Sequence, residues 1–333
     1  MDSTDVPLPP GKLPPALLTR ALAGFAPWPP EVRVGPGIGE DACVLDVPAG
    51  VLVAATDPIT LTGREIGRLA VVVNANDVAV TGVRPRWFLA AVLLPPGTSA
   101  AQVEDLFASM HEGLRAAGAV LVGGHTEVTA AVHQPVVVGQ MLGIAEHDRF
   151  VSTAGARPGH VLVQVGAVPV EGGGVLATEA PHLGQLDPST ARAAVDGLDE
   201  PGISVVEAAV AAAELGASAM HDPTEGGLAA GLHELAAAAG VAVRIDRGAV
   251  RWFEPGVAVC RALGADPWAV LASGSLLATF PPAHAERAVA ALEEAGFAVA
   301  AIGTVEEGSG VTDLDGQRIA LPERDEVARL LSE

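Results

Sequence analysis

Apolar and polar positions follow two periods along the first half of the chain. Val51 to Thr56 is a β-branched run that closes on Asp57 and predicts a strand. Glu65 to Thr81 has helical length and so little charge that such a helix is expected to be buried on several sides. Trp87 to Leu94 is a second apolar strand, ended by the turn signal Pro95-Pro96-Gly97. From Ser99 to Ala117 the positions Val103, Leu106, Phe107, Met110 and Leu114 fall at i, i+3, i+4, i+7 and i+11. That spacing predicts an amphipathic helix with Ser99 as its candidate cap. A short strand at 119–122 feeds Gly123-Gly124-His125-Thr126, and 135–144 reads as a further strand.

Periodicity is lost over 148–159, where a domain boundary is expected. The division is an arm at 1–15, a first domain at 16–150 and a second at 151–333. The second half predicts a strand at 161–165, helices near 171–180 and 203–216, and Met220-His221-Asp222 leading into a helix that ends near 239. Strands at 241–245, 275–280 and 297–302 surround a helix at 284–295. The halves share this α/β style without a legible sequence repeat.

Composition narrows the function classes. The chain has 333 residues, half of them apolar, enough to bury two cores. A formal charge of −21 argues against nucleic-acid and anionic-membrane partners, which require clustered cations. No apolar run approaches the roughly 18 residues that span a bilayer. The arm carries five prolines and lacks the basic start and apolar block of a signal peptide. Two cysteines, Cys43 and Cys260, lie far apart in no metal spacing, so a cytoplasmic protein is expected. Lys12 is the only lysine, which makes it a candidate catalytic amine.

Gly37-Ile38-Gly39-Glu40-Asp41-Ala42 matches a dinucleotide fingerprint by spacing alone. A proline-rich stretch precedes it, and Cys43 to Val47 reads as a strand where that motif needs a helix. Its two acids suit a hard cation better than a pyrophosphate. In the buried helix, Asn74, Asp77 and Thr81 share one face, and a carboxylate there needs a metal or a donor. Gly123-Gly124 permits close approach of a phosphate to backbone N–H groups. Asp222 precedes a helix start, where Asp222 or Thr224 is a candidate cap. Acids at 41, 57, 77 and 222 therefore suit magnesium held with a nucleotide.

These residues carry a resemblance. Gly39-Glu40-Asp41-Ala42, Thr56-Asp57, the run 76–85, Gly123 to Thr126 and Asp222-Pro223-Thr224-Glu225-Gly226-Gly227-Leu228 resemble, in order, the aminoimidazole-ribonucleotide synthetase (AIR synthase) superfamily. Ser273-Gly274-Ser275 and Ile302 to Val305 extend the match. The resemblance implies a PurM-like N-terminal domain, α/β (α+β) in class, whose mixed sheet pairs in a homodimer, and a C-terminal α/β domain closing over the site. It implies magnesium at Asp41, Asp77 and Asp222, and ATP at Asp57, Asn76, Asp77, Gly123, Gly124, His125 and Thr126. The implied chemistry is phosphoryl transfer onto an amide- or carbonyl-type oxygen or a small acceptor.

Asp222-Pro223-Thr224 and Gly11 to Pro14 are most similar to the hydrogenase-maturation branch. That branch carries a C-terminal cysteine, whereas this chain closes Arg329-Leu330-Leu331-Ser332-Glu333, so no carbamoyl group is expected on its own cysteines. A thiamine-monophosphate-kinase-like phosphotransferase and a catalytically silent nucleotide-binding dimer are the alternatives.

Overall fold

A computed structural model describes residues 32–34, 39–40, 43–47, 50–60, 65–146, 149–180 and 186–332. The first half contains β1 (Val32–Val34), β2 (Cys43–Val47), β3 (Gly50–Ile59), α1 (Ile66–Ala79), β4 (Trp87–Leu94), α2 (Ala100–Ala117), β5 (Val120–Val128) and β6 (Val136–Ala145). The second contains β7 (Val161–Val165), α3 (Val170–Glu179), α4 (Pro188–Asp196), α5 (Val206–Glu214), β8 (Ala219–His221), α6 (Gly227–Ala239) and β9 (Ala242–Ile245). It continues with α7 (Glu254–Leu263), β10 (Leu276–Phe280), α8 (Pro282–Glu294), β11 (Val299–Glu306), β12 (Gly310–Asp313) and α9 (Glu326–Leu330).

Each half builds one six-stranded sheet. The first runs β1-β2-β3-β6-β4-β5 and the second β12-β9-β11-β7-β10-β8. In each, one pair at an edge is parallel, β4 with β5 and β12 with β9, and the other neighbours are antiparallel. Strands β4 and β6 alternate half-buried and buried positions, as a sheet with one covered face requires. The mixed sheets and the flanking helices make the α/β class read from the sequence the observed one.

Local chemistry sets the element ends. Ser99 and Gln102 form a reciprocal capping box, with Gln102 N–H donating to Ser99 Oγ at 3.3 Å and Ser99 N–H to Gln102 Oε1 at 2.8 Å. Strand β3 continues through Asp57 to Ile59 because its partner β6 pairs along the full run, Val51 with Ala145 to Ile59 with Val137. The helix expected at 203–216 starts only at Val206. The cause is Asn76, whose side chain donates to Ile203 O at 2.9 Å and accepts from Val205 N–H at 2.9 Å. That clamp diverts the backbone from helical pairing.

Helix α1 lies at the centre. Its Ile66, Ala70, Val71, Val72, Val73, Val78 and Ala79 are buried, so the helix is covered on most sides. It packs on β3, β6, α2 and α5. The apolar cluster it belongs to continues from Val53 and Phe88 of the first sheet to Val206, Ala209 and Phe280 of the second half. A smaller cluster of Val72, Val170 and Ile203 joins α1 to the start of α3. The two sheets therefore share a hydrophobic seam. Exposed ion pairs of Arg84 with Glu207 and Arg68 with Asp199 flank it and add little.

Replacing Asn76 by Ala strands two buried backbone groups at Ile203 and Val205. The expected loss is about 2–3 kcal/mol of stability, read from urea unfolding monitored by circular dichroism. A loss under about 0.5 kcal/mol would show that the seam does not need this clamp.

Candidate functional site

Asp57 sits inside β3 and is half-buried. Its backbone is gripped by Asn74 of α1: Asp57 N–H donates to Asn74 Oδ1 at 2.8 Å, and Asn74 Nδ2 donates back to Asp57 O at 3.1 Å. Asn74 Nδ2 also reaches Ala70 O at 2.8 Å. The strand and helix are thus locked together where the carboxylate emerges. Asp77, one position beyond the Asn76 clamp, is half-buried, whereas Asn74 and Asn76 are fully buried. The amide of Asn76, which was expected to contact ATP, is engaged by the 203–205 backbone.

Across the seam, β8 delivers His221 and Asp222 into the interior, 1 % and 2 % exposed. His221 Nε2 lies 2.8 Å from Glu234 Oε2 of α6. The N-cap position of α6, for which Asp222 and Thr224 were the candidates, is taken by Gly226. The turn at Gly39 and Glu40 reaches this corner. Gly39 has φ +76°, and a Cβ there would stand 2.8 Å from Glu234 O, so only glycine lets the turn rest on α6. Ser152 Oγ donates to Glu40 Oε1 at 3.2 Å. Asp41 and Lys12 lie outside the described residues.

A second set of acids was not singled out by sequence reasoning. Glu171, in the first turn of α3, has its carboxyl held by a hydrogen bond from Ser273, with Asp325, Glu225 and Asp57 acting on it through space. The residue as a whole is only partly buried, but its carboxyl is enclosed, and Oε2 accepts no hydrogen bond. Burial, reinforced by the three acids, pushes the Glu171 carboxyl up to about 7 despite the Ser273 bond. Asp325 accepts from Gly226 N–H and Val327 N–H, both at 2.7 Å, and so ties α9 to the Asp222–Gly227 segment. Burial, with repulsion from Glu225, pushes it up to about 6 against those bonds. The available signal for Glu171 was that it is the only charge in the glycine-rich stretch 166–178.

The strand expected to stop at 122 runs on through Gly123 to Thr126. They form part of β5, the edge strand of the first sheet, and all nine residues of β5 are exposed. The register slips between Phe88 with Leu121 and Leu89 with Gly123, a bulge at Val122. Gly124 has φ +147°, and a Cβ there would stand 2.1 Å from Ala90 O. The paired glycines serve this bulged strand. His125 Nε2 lies 3.5 Å from Glu127 on the same strand.

Among the described residues no group of three or more His, Cys, Asp or Glu side chains forms a ready-made metal cage. The donors present are carboxylates, which suit a hard cation carried in with phosphate oxygens better than a preformed site. Cys260 is fully buried in α7, and burial pushes its thiol up to about 12, so it supplies no nucleophile at neutral pH. No helix among the described residues is long and apolar enough to cross a membrane.

Two six-stranded mixed sheets joined at an acid-lined seam define a two-layer α/β protein of the PurM-like kind. Residues 39–145 match the N-terminal domain of AIR synthase related protein, and 157–314 match its C-terminal domain. The chain belongs to the AIR synthase related family. It is similar to carbamoyl dehydratase HypE of Rhodobacter capsulatus, 32% identical over 268 residues, covering 77% of this chain and 76% of that protein. Carbamoyl dehydratase HypE of Escherichia coli is 31% identical over 263 residues, 77% of this chain and 74% of that protein. A crystal structure of hydrogenase maturation protein HypE in complex with ATP matches with a TM-score of 0.71 at 26% identity, over 88% of this chain and 92% of that one. Thiamine monophosphate kinase of Aquifex aeolicus shares the fold, with a TM-score of 0.69 at 20% identity, over 91% and 97%.

The raised Glu171 carboxyl has a consequence for stability. The native state holds this proton more tightly than the unfolded chain, so the contribution is full below the ordinary glutamate value of about 4.3. It is lost as pH rises through about 7. Glu171→Gln is expected to leave the melting temperature unchanged near pH 4. At pH 8 it should raise it by a few degrees, corresponding to about 1–3 kcal/mol. Equal shifts at both pH values in differential scanning calorimetry would mean the carboxyl is not strained by burial.

Proposed function

We propose that this chain is an ATP- and magnesium-dependent enzyme of the HypE-like branch, activating an amide- or carbonyl-type oxygen by phosphoryl transfer. The observation that carries the reading is the seam itself: Asp57, on one strand of the first sheet, acts through space on the Glu171 carboxyl of the second half. Asp222 is buried on the neighbouring β8–α6 connection. Kinship with carbamoyl dehydratases and the match to an ATP-bound relative support the same assignment.

Asp41, Asp77 and Asp222 would hold the magnesium. The ion would supply charge neutralisation on the phosphate oxygens when bound. Asp57, Asp77 and the segment Gly123 to Thr126 would face the nucleotide. For the β5 residues that role requires a wall the single chain lacks, since the strand is exposed on both faces. A homodimer supplies it. Val120, Leu121, Val122 and Val128 are all roughly half-exposed, and an apolar edge strand of this length is a template for a partner strand. Lys12 stays a candidate for closure over the phosphates. The buried thiol of Cys260 is no carrier for a carbamoyl group, and the acceptor in this reading is a small molecule or an amide on a partner protein.

Phosphate release from MgATP in the presence of primary carboxamides tests the reading directly, and transfer of phosphate onto a stable product would favour a kinase instead. Asp77→Asn and Asp222→Asn are each expected to weaken magnesium-dependent ATP binding about tenfold or more, a loss of roughly 1.4 kcal/mol. Calorimetry showing parent-like MgATP affinity in both variants would place the metal elsewhere. In sedimentation the parent should run at twice the 33.5 kDa chain mass. Val122→Asp should shift it to monomer, and a parent monomeric at micromolar concentration would remove the dimer from the account.

A further inference from the structure

The second half holds a cleft of about 530 Å³ whose walls carry none of the seam acids Asp57, Glu171 and Asp222. That size falls within the roughly 300–1,000 Å³ of small-molecule sites. Arg247 just past β9, Trp268 past α7, and Arg318, Arg324 and Arg329 on the stretch from β12 through α9 line it together. Four arginines thus meet at one place in a chain of formal charge −21.

Charge alone does not make this an anion site, because Asp266, Glu323 and Glu326 line it as well. Hydrogen bonding decides. Both Glu326 oxygens are taken by Arg329, Oε1 by Nε at 2.9 Å and Oε2 by Nη2 at 2.6 Å. Asp266 Oδ1 accepts from Trp268 N–H at 3.0 Å. Arg247 gives only its Nε to Asp313, at 2.7 Å, and Asp313 is bonded by Asp315 and Gln317 N–H besides. Among the described residues no acceptor takes the outer nitrogens of Arg247 or the guanidinium of Arg318. Arg324 gives Nη2 to Ala328 O and Ser332 Oγ, while its enclosed Nε has no partner. The remaining acid, Glu323, is exposed to water. The cleft therefore has guanidinium donors to spare, and such donors stay charged at any ordinary pH and favour an oxyanion.

The donors converge because the chain folds back after β12. Thr312 bridges Arg318 antiparallel, and Ile319 N–H donates to Val311 O at 3.0 Å. Arg318 is thereby set across from Thr312, one position before the Asp313 that holds Arg247. Arg247 Cζ in turn lies 5.2 Å from the Trp268 ring centroid. Trp252 meets the same ring edge-on, with centroids 5.2 Å apart at 76°. The indole is thus fixed beside the spare donors. Buried Ile319 and half-buried Pro322 add apolar wall. A flat apolar body with one planar oxyanion matches this set, and Asp266 and Glu323 disfavour a second negative charge.

We propose that this cleft is a binding site for a small aromatic monocarboxylate, its oxygens bonded by Arg318 and the outer nitrogens of Arg247 and its ring against Trp268. The site stands apart from the nucleotide reading and does not need it. Its wall is nevertheless tied to the seam. Glu326 N–H donates to Ala269 O at 3.1 Å, and Asp325 accepts from Gly226 N–H at 2.7 Å. A ligand in the cleft therefore rests on a wall continuous with the segment that follows Asp222.

The test titrates benzoate into the full chain by calorimetry at two temperatures, with benzamide as the neutral isostere and inorganic phosphate as an oxyanion without a ring. Benzoate is expected to bind with a Kd of about 1 mM or tighter, and the other two at least about tenfold more weakly. Arg318→Gln should weaken benzoate about tenfold and leave the melting temperature of the ligand-free chain unchanged, because that side chain is exposed. Ala320→Glu, which adds a carboxylate to the exposed lining, should abolish binding. No heat at either temperature with benzoate up to about 10 mM overturns the proposal. So does parent-like benzoate affinity in both variants, which puts the ligand elsewhere. Benzamide binding as tightly as benzoate removes the arginines from recognition, and phosphate binding as tightly removes the aromatic class; either result overturns the assignment. MgATP affinity is measured separately, so failure here leaves the nucleotide reading standing, and the reverse holds as well.

Discussion

The structure depends on burying a helix that carries two asparagines. An amide sealed from water without partners costs several kcal/mol, which few domains can absorb. Helix α1 meets that constraint by giving each amide a backbone partner outside its own turn. Asn74 takes both backbone groups of Asp57, and Asn76 takes Ile203 O and Val205 N–H. Each clamp crosses a boundary: one joins helix to sheet, the other joins first half to second. The same bonds that satisfy the helix therefore position the site, because they set where Asp57 leaves β3 and where the chain enters α5.

This arrangement makes the seam rigid where it is neutral and strained where it is acidic. The neutral side has its polar atoms paired to backbone at 2.8–3.1 Å. The acidic side gathers Asp57, Glu171, Glu225 and Asp325; burial pushes up the carboxyls of Glu171 and Asp325, with Asp325, Glu225 and Asp57 adding to it at Glu171 and Glu225 adding to it at Asp325. Like charges so placed are tolerated in a fold whose stability comes from elsewhere, here the continuous apolar cluster through α1. They are useful where protons or cations must be held, which is the common setting of strongly perturbed groups.

Much of this was legible in the sequence, for identifiable reasons. The amphipathic period of 99–117 and the Ser99 cap were local signals, and both appear as read. Helix α1 was legible as buried because its charge content is so low, although the reading of Asn76 as a ligand missed its partner 127 positions away. The strand was read as ending at 122 because paired glycines weaken a strand pattern. Only the register with β4 reveals a bulge in an edge strand. Helices α4 and α9 escaped because they are short, and α4 is largely exposed, so neither leaves a strong apolar period. Glu171 escaped for a different reason. Its meaning lies in burial and in acids from three distant segments, and no spacing along the chain encodes that convergence.

The two sides of the seam also differ in how they were recruited, and this bears on what varies among relatives of one fold. The residues proposed to meet phosphate and metal have a locked backbone: Asp57 by Asn74, and the Asp222–Gly227 segment by Asp325 through Gly226. Such positions tolerate little change, because each exchange would strand a buried partner. The corner formed by Glu171, Ser273 and Ser275 is held mainly by packing of Val170 and by one side-chain hydrogen bond. Side chains can be exchanged there without unpairing any backbone group. That separation gives a physical reason why one fold is found in both a carbamoyl dehydratase and a thiamine monophosphate kinase.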